Sequence, residues 1–315
     1  MKIVIPGGTG QVGTVLARSF HEAGHEVVVL GRHPKTESWP VIIWDGKTVG
    51  DWEDEIDDAD VVINLAGRSV NCRYNKKNRR EIIDSRIDST RILGAAITRS
   101  ASPPKVWLQA STATIYAHRF DAPNDDLTGI IGGHEPDAPD TWNFSIDVAT
   151  SWERAANEIE TPRTRKVLMR SALILSPDRG GIFDTLLGLV RLGLGGTAAS
   201  GRQYTSWIHD LDFIRSIYWL IEHEELSGPI NLSSSNPLPN KEFMKVLRDV
   251  YGMPIGLPAF EWQLAIGAFL MRSETELILK SRRVVPKLLT DTGFKFEFPE
   301  WKEAAEDLVS RWKNA

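Results

Sequence analysis

The chain has 315 residues, 42 acidic against 37 basic side chains, a formal net charge of −5 and 42% hydrophobic content. That balance describes an ordinary globular protein with ample core, and it excludes intrinsic disorder and a broadly basic nucleic-acid binder. A lone cysteine, Cys72, excludes an internal disulfide framework and cysteine-rich metal sites, so no metal is expected.

Lys2–Ile5 reads as a strand, Thr14–Glu22 as a helix, and Glu26–Leu30 and Val41–Trp44 as further strands. Val61–Leu65 is a fourth strand, Asn78–Ser100 a long helix and Val106–Gln109 a fifth strand. A helix over Ile146–Ile159 then precedes a sixth strand over Val167–Leu175. Such alternation predicts βαβ units in an α/β fold, with both faces of a parallel sheet covered. The wholly apolar run Val27-Val28-Val29-Leu30 fits that burial.

Beyond Ser176 the pattern loosens. A Gly-rich stretch from 180 to 201 leads to Trp207-Ile208-His209-Asp210, a helix through Ile221, and a strand at Ile230–Leu232. Asn240 is a candidate helix N-cap. Prolines at 254, 258, 286 and 299 break the last third into short helical pieces. The expected organisation is a Rossmann-type domain over 1–175, to which 205–235 returns. A smaller, mostly helical lid over 176–204 and 236–315 covers the sheet's carboxyl edge. No apolar run reaches the ~18 residues of a membrane span, the greasiest being Trp262–Met271. Because Met1–Ile5 already reads as strand, no targeting segment and a cytoplasmic location are expected.

Gly7-Gly8-Thr9-Gly10-Gln11-Val12-Gly13 carries the G-x-G-x-x-G spacing at 8, 10 and 13, directly after a strand and at the opening of a helix. In that context the glycines allow a tight turn, and backbone amides at the helix start can hold a pyrophosphate. The second strand ends Leu30-Gly31-Arg32, where an NAD site would usually place Asp or Glu on the ribose hydroxyl. A guanidinium suits a ribose phosphate instead, so NADP(H) is the expected cofactor; the bland alternative is a solvated loop arginine.

With Asn64-Leu65-Ala66-Gly67, Asp84-Ser85-Arg86-Ile87-Asp88-Ser89-Thr90, Trp152-Glu153, Arg170–Leu175, Trp207–Asp210, Asn231-Leu232-Ser233 and Gly293–Phe296 added, the chain resembles the extended short-chain dehydrogenase/reductase superfamily. More narrowly it resembles its atypical epimerase-like family with a C-terminal extension of unknown function. The resemblance implies that Gly31 and Arg32 lie beside the adenosine 2′-phosphate and that Leu65, Ala66 and Gly67 line the cofactor. It further implies that Glu81 and Arg86 face the cofactor cleft, that Ile174 lies near the nicotinamide, and that Asp45 contacts the adenine. Ser111, at the end of the fifth strand, joins these contacts. Relatives of this kind often pair through the long helix and the helix bearing Trp152, so a homodimer is expected.

The superfamily's proton device, Tyr-x-x-x-Lys, is absent: the residues four beyond Tyr74, Tyr116, Tyr204, Tyr218 and Tyr251 are Asn78, Phe120, Ile208, Glu222 and Ile255. Counted back from Trp152-Glu153, Ser145 and Ala149 take the Tyr and Lys places. Thr112 remains where a hydroxyl would polarise a substrate oxygen, with a self-satisfied strand end as the alternative. Tyr116 is a candidate substitute acid or a packed aromatic. His209 is a candidate proton donor or an organiser of the next helix. His118 and His134 could reach the cleft from loops. Arg202 is a candidate anion clamp, and the basic cluster at Arg73, Lys76, Lys77, Arg79 and Arg80 could attract an anionic substrate or be a solvated helix face. Asp51–Asp60 reads as a solvated acidic face. Two functional readings follow: an NADP(H)-dependent oxidoreductase or epimerase-like enzyme acting on an unknown small molecule, or a catalytically degenerate NADP(H) sensor or partner-binding protein. A sugar-nucleotide epimerase is disfavoured by the absent tyrosine.

Overall fold

Alternation along the strands builds two cores from one sheet. In the computed structural model, which describes residues 1–314 apart from 134, 137 and 271–273, β1 (Lys2–Pro6), α1 (Gln11–Glu22), β2 (Glu26–Gly31) and β3 (Val41–Ile43) come first. β4 (Val61–Asn64), α2 (Lys76–Arg99), β5 (Val106–Thr112), α3 (Asp140–Asn157) and β6 (Arg165–Ser171) follow. These strands and β10 (Gly228–Leu232) pair in parallel in the order β3-β2-β1-β4-β5-β6-β10. Ile3, Ile5, Val27, Val29, Val61, Ile63, Val106 and Leu108 point to one face, where Leu16 and Phe20 of α1 cover them. Val4, Val28, Leu30, Val62 and Trp107 point to the other, under Leu93, Ala96 and Ile97 of α2. Side chains two apart share a face of a strand, so a run that is apolar throughout needs a helix layer on each side.

The second half continues with β7 (Leu173–Leu175), α4 (Ile182–Arg191), β8 (Tyr204–Thr205), β9 (Trp207–His209), α5 (Asp210–Glu222) and β10 (Gly228–Leu232). It ends with β11 (Leu238–Pro239), α6 (Asn240–Tyr251), α7 (Glu261–Leu270), α8 (Glu276–Leu279), α9 (Lys287–Asp291) and α10 (Trp301–Asn314). Phe213, Ile217 and Leu220 of α5 join the α1 side of the sheet. A third core gathers Phe183, Leu187, Trp207, Phe243, Leu247, Trp301 and Leu308 from α4, β9, α6 and α10. Trp301 lies flat on Phe243, ring centroids 4.1 Å apart.

Several boundaries differ from the sequence expectations. The sixth strand is two strands. At Ala172, whose N–H donates to the Leu232 carbonyl (3.0 Å), the chain leaves the main sheet, and β7 pairs instead with β9. The helix expected from Ile146 starts at Asp140, because Pro139 brings a fixed φ to its N-cap and Phe144 is buried within the added turn. Asn240 is not an N-cap: Pro239 holds that place, and the Asn240 side-chain oxygen accepts the Ala198 N–H (3.0 Å). Among the described residues no helix is long and apolar enough to cross a membrane.

Candidate active site at the switch point

Strand order reverses between β1 and β4, and the loops leaving their carboxyl ends form a crevice there, the usual place for a ligand in such sheets. Gly7 adopts φ 78°, and a Cβ on it would stand 2.7 Å from the Ala66 backbone, so the two loops can meet only through a glycine. A Cβ on Gly13 would overlap the Gly8 backbone, which fixes α1 directly against the loop. Gly10 behaves differently: a Cβ there meets only the Gly7 carbonyl, at 3.5 Å. As N-cap of α1 it offers no side chain, and the first turn holds no acidic residue. The intrahelical ladder begins with the Thr14 N–H donating to the Gly10 carbonyl (2.8 Å). The N–H groups of Gln11, Val12 and Gly13 precede it, in a field that favours an anion. This cradle fits a pyrophosphate. Thr9 packs over Gly31, and the Gln11 amide lies against Gly181.

Arg32 follows β2 directly, is exposed, and has no carboxylate partner among the described residues. Asp45 is turned inward on its own loop. Its carboxylate accepts the N–H groups of Lys47 (2.8 Å) and Thr48 (2.9 Å) and the Thr48 hydroxyl, bonds that hold its pKa below the usual range. Leu65 continues β4 by donating to the Pro6 carbonyl (2.8 Å), and the Ala66 N–H donates to Asn64 Oδ1 (3.1 Å). Glu81 pairs with Arg68. Arg86 packs against Gly67 and over the Trp152 ring at 4.9 Å. Its Nη1 donates to the carbonyls of Arg68 (2.9 Å) and Ile82 (3.0 Å), and burial pushes its pKa down to about 10. Ile174, on β7, lies opposite Ile208.

At the end of β5, Ser111 donates to Glu153 Oε1 (2.6 Å), and Thr112 Oγ1 accepts the Thr114 N–H (3.2 Å). Glu153 grips Arg170 in a fork, at 2.8 Å to Nε and 2.7 Å to Nη2. Burial opposes the Arg170 charge, yet this carboxylate raises its pKa. Arg170 in turn donates to the Tyr116 hydroxyl (3.0 Å), which donates to Asn231 Oδ1 (2.8 Å). Tyr116 is 2% exposed and burial raises its pKa. Its hydroxyl is thus committed to the protein interior. Ser145 donates to Glu276 Oε2 (2.9 Å), whose other oxygen accepts Arg282 Nη2 (2.7 Å). Arg282 Nε donates to Thr114 Oγ1 (3.1 Å), and Lys280 Nζ to the Thr114 carbonyl (2.8 Å).

A family model for NAD dependent epimerases and dehydratases matches residues 3–137, and one for a domain of unknown function, DUF1731, matches 258–308. The mouse epimerase family protein SDR39U1 is 31% identical, covering 98% of this chain and all of its own length. An epimerase family protein of Staphylococcus saprophyticus is 32% identical over 97% of this chain and 98% of its own. The chain belongs to the SDR39U1-like epimerase family. The crystal structure of human SDR39U1 with NADPH superposes with a TM-score of 0.85 at 28% identity, covering 98% of this chain and 99% of that one. A nucleoside-diphosphate sugar epimerase from Corynebacterium glutamicum gives 0.75 at 25% identity, covering all of this chain and 61% of its own.

In this SDR39U1-like chain the remaining sequence candidates lie apart from the crevice or are engaged elsewhere. His209 is fully buried: Nδ1 accepts the Leu211 N–H (3.2 Å), Nε2 meets Asp307 (2.9 Å), and the ring stacks on Phe298 at 3.9 Å. Both nitrogens are used, so the residue caps α5 and ties it to α10; burial lowers its pKa. His118 Nδ1 accepts the Ser281 N–H (2.7 Å), and Arg202 lies 5.8 Å from the Phe120 ring centroid. His134 lies outside the described residues. In the basic cluster, Arg73 pairs with Glu274, Lys77 with Glu81, Arg79 with Asp140 and Arg80 with Asp84. Among the described residues no group of acidic, His and Cys side chains could hold a metal. Sequence reasoning missed Tyr74, Glu276, Lys280 and Arg282. Nothing local marks them: Tyr74 meets Phe144 and Glu274, 70 and 200 residues further on, and the other three lie in a proline-broken segment without periodicity.

Proposed function

We propose that the protein binds NADP(H) in this crevice and exchanges a hydride with a small carbonyl or alcohol substrate held between Thr112 and the C-terminal region. The observation that carries the reading is Arg32: a guanidinium with no acidic partner among the described residues directly follows β2, on the side of the α1 amide cradle, where a carboxylate would repel a ribose phosphate. The residues implied to hold the dinucleotide are Gly7, Thr9 to Gly13, Gly31, Arg32, Asp45, Leu65 to Gly67, Glu81, Arg86, Ser111 and Ile174. When bound, the nicotinamide supplies or accepts the hydride. The same reading gives the protein an atypical active site, a cytoplasmic location and a homodimeric state. Calorimetry with NADPH and NADH tests it, followed by NADPH oxidation across aldehydes, ketones and quinones. Tight NADPH and weak NADH binding is expected, and the failure of both to bind folded protein would overturn it. A second reading, a cofactor sensor without turnover, is favoured by Ser145 and Ala149 standing in for the Tyr/Lys pair on α3. Nucleotide binding without oxidation of any panel member selects it.

A further inference from the structure

A glycine far along the chain from the dinucleotide loop is accounted for by a side chain of that loop. Gly181 is buried and takes φ −85° and ψ 179°, an extended conformation open to any residue, so its backbone does not call for glycine. Its surroundings do. A Cβ at 181 would stand 1.7 Å from Gln11 Nε2, and the three nearest atoms all belong to the Gln11 carboxamide. Gln11 is the first residue of α1, and its own N–H is one of the amides of the cradle. Among the described residues its carboxamide has no hydrogen-bond partner. Two turns further along the same face of α1, Arg18 grips Asp178 in a fork, at 3.2 Å from Nη1 and 2.8 Å from Nη2. Ser176 donates to the same carboxylate (2.8 Å), and the Gly180 N–H donates to Asp184 Oδ2 (2.9 Å). The loop from 176 to 181 is therefore fastened along α1, from Arg18 back to the first turn.

We propose that the 176–181 loop is the outer wall of the dinucleotide site, and that residue 181 is glycine so that the Gln11 carboxamide can stand between wall and cradle and donate to the pyrophosphate. The proposal rests on the NADP(H) reading above. Topology says which phosphate is met. Arg32 lies on the β2 side of β1, whereas the loop follows β7, which carries Ile174 and leaves β6 on the opposite side of β1. The adenosine end of the dinucleotide lies toward β2 and the nicotinamide end toward the loop. Gln11 Nε2 therefore serves the phosphate on the nicotinamide side, and Gly181 is a positioning residue that acts through it.

The test is calorimetry on the full chain with two ligands: NADPH, and adenosine 2′,5′-bisphosphate, which keeps the adenosine-side phosphate and lacks the other. Gln11 is exposed, so Gln11→Ala leaves the core intact. That variant is expected to weaken NADPH about 10-fold or more, the loss of one hydrogen bond to a charged group, and to leave the bisphosphate within about twofold. Gly181→Ala is expected to do the same by pushing the carboxamide aside, because the atoms in its way are the flexible end of a side chain. The double variant is expected to bind NADPH no more weakly than either single one, since both changes remove the same contact. NADPH affinity unchanged in Gln11→Ala overturns the proposal. So do equal losses for the two ligands, and losses that multiply in the double variant. If the unaltered protein binds neither ligand, the cofactor reading itself has failed; if it binds both and Gln11→Ala binds NADPH equally well, that reading stands and the wall does not.

Discussion

Replacing Glu153 by Gln keeps the shape of the side chain and removes its charge. Glu153 and Arg170 are an ion pair with side chains 9% and 10% exposed, and the carboxylate also accepts the Ser111 hydroxyl. Glu153→Gln leaves the guanidinium buried without its counter-charge, a situation that costs about 3–5 kcal/mol. With an unfolding entropy of roughly 2.1 cal/mol/K per residue, a chain of 315 residues converts that into a fall in melting temperature of about 5–8 °C. Urea unfolding followed by circular dichroism measures the free energy, and calorimetry the temperature. Combining Glu153→Gln with Arg170→Met removes both charges and is expected to recover most of the loss. A single-variant loss under about 1 kcal/mol would refute the argument, because surface pairs are worth that little.

Gly10→Ala is expected to leave the melting temperature unchanged, since its Cβ meets only one atom at 3.5 Å, yet to weaken NADPH by at least about tenfold by crowding the amide cradle; calorimetry beside thermal melting checks both. Arg32→Ala removes charge-assisted bonds worth about 1.5–3 kcal/mol, so NADPH affinity is expected to fall roughly 10- to 150-fold while NADH affinity hardly changes. Lys280 is 1% exposed, and burial first, then Arg282, hold its pKa near 8 against the ordinary 10.5. Because the folded value lies below the unfolded one, protonation favours unfolding, and stability should climb as pH rises from about 8 to 10.5. Lys280→Met is expected to flatten that climb and raise neutral-pH stability by at most about 3 kcal/mol; melting curves across that range check it.

The N-terminal half was legible because its signals are local. Strands such as Val27–Leu30 are apolar throughout, and the glycine spacing sits between strand and helix where its chemistry belongs. The break at Ala172 was not, because Leu173-Ile174-Leu175 is as apolar as the strand before it, and only its partner, β9, reveals the departure. Tyr74 was set aside because Asn78 and not Lys stands four residues on, a test that assumes the pair shares one helix. The structure instead ties residue 74 to 144 and 274, on other elements. His209 was a candidate on its titration range alone, and the ring proves to be fully spent on the starts and sides of helices.

The Ser145–Glu276–Arg282–Thr114 chain of bonds bears on how such proteins can be recombined. A chimera that keeps the nucleotide half of this protein and borrows another relative's tail would strand the Ser145 hydroxyl without its acceptor and Thr114 without its donor. Productive shuffling therefore has to move the 68–75 loop, α3 and the 274–284 stretch as a matched set, and the two halves should drift in step when one is altered.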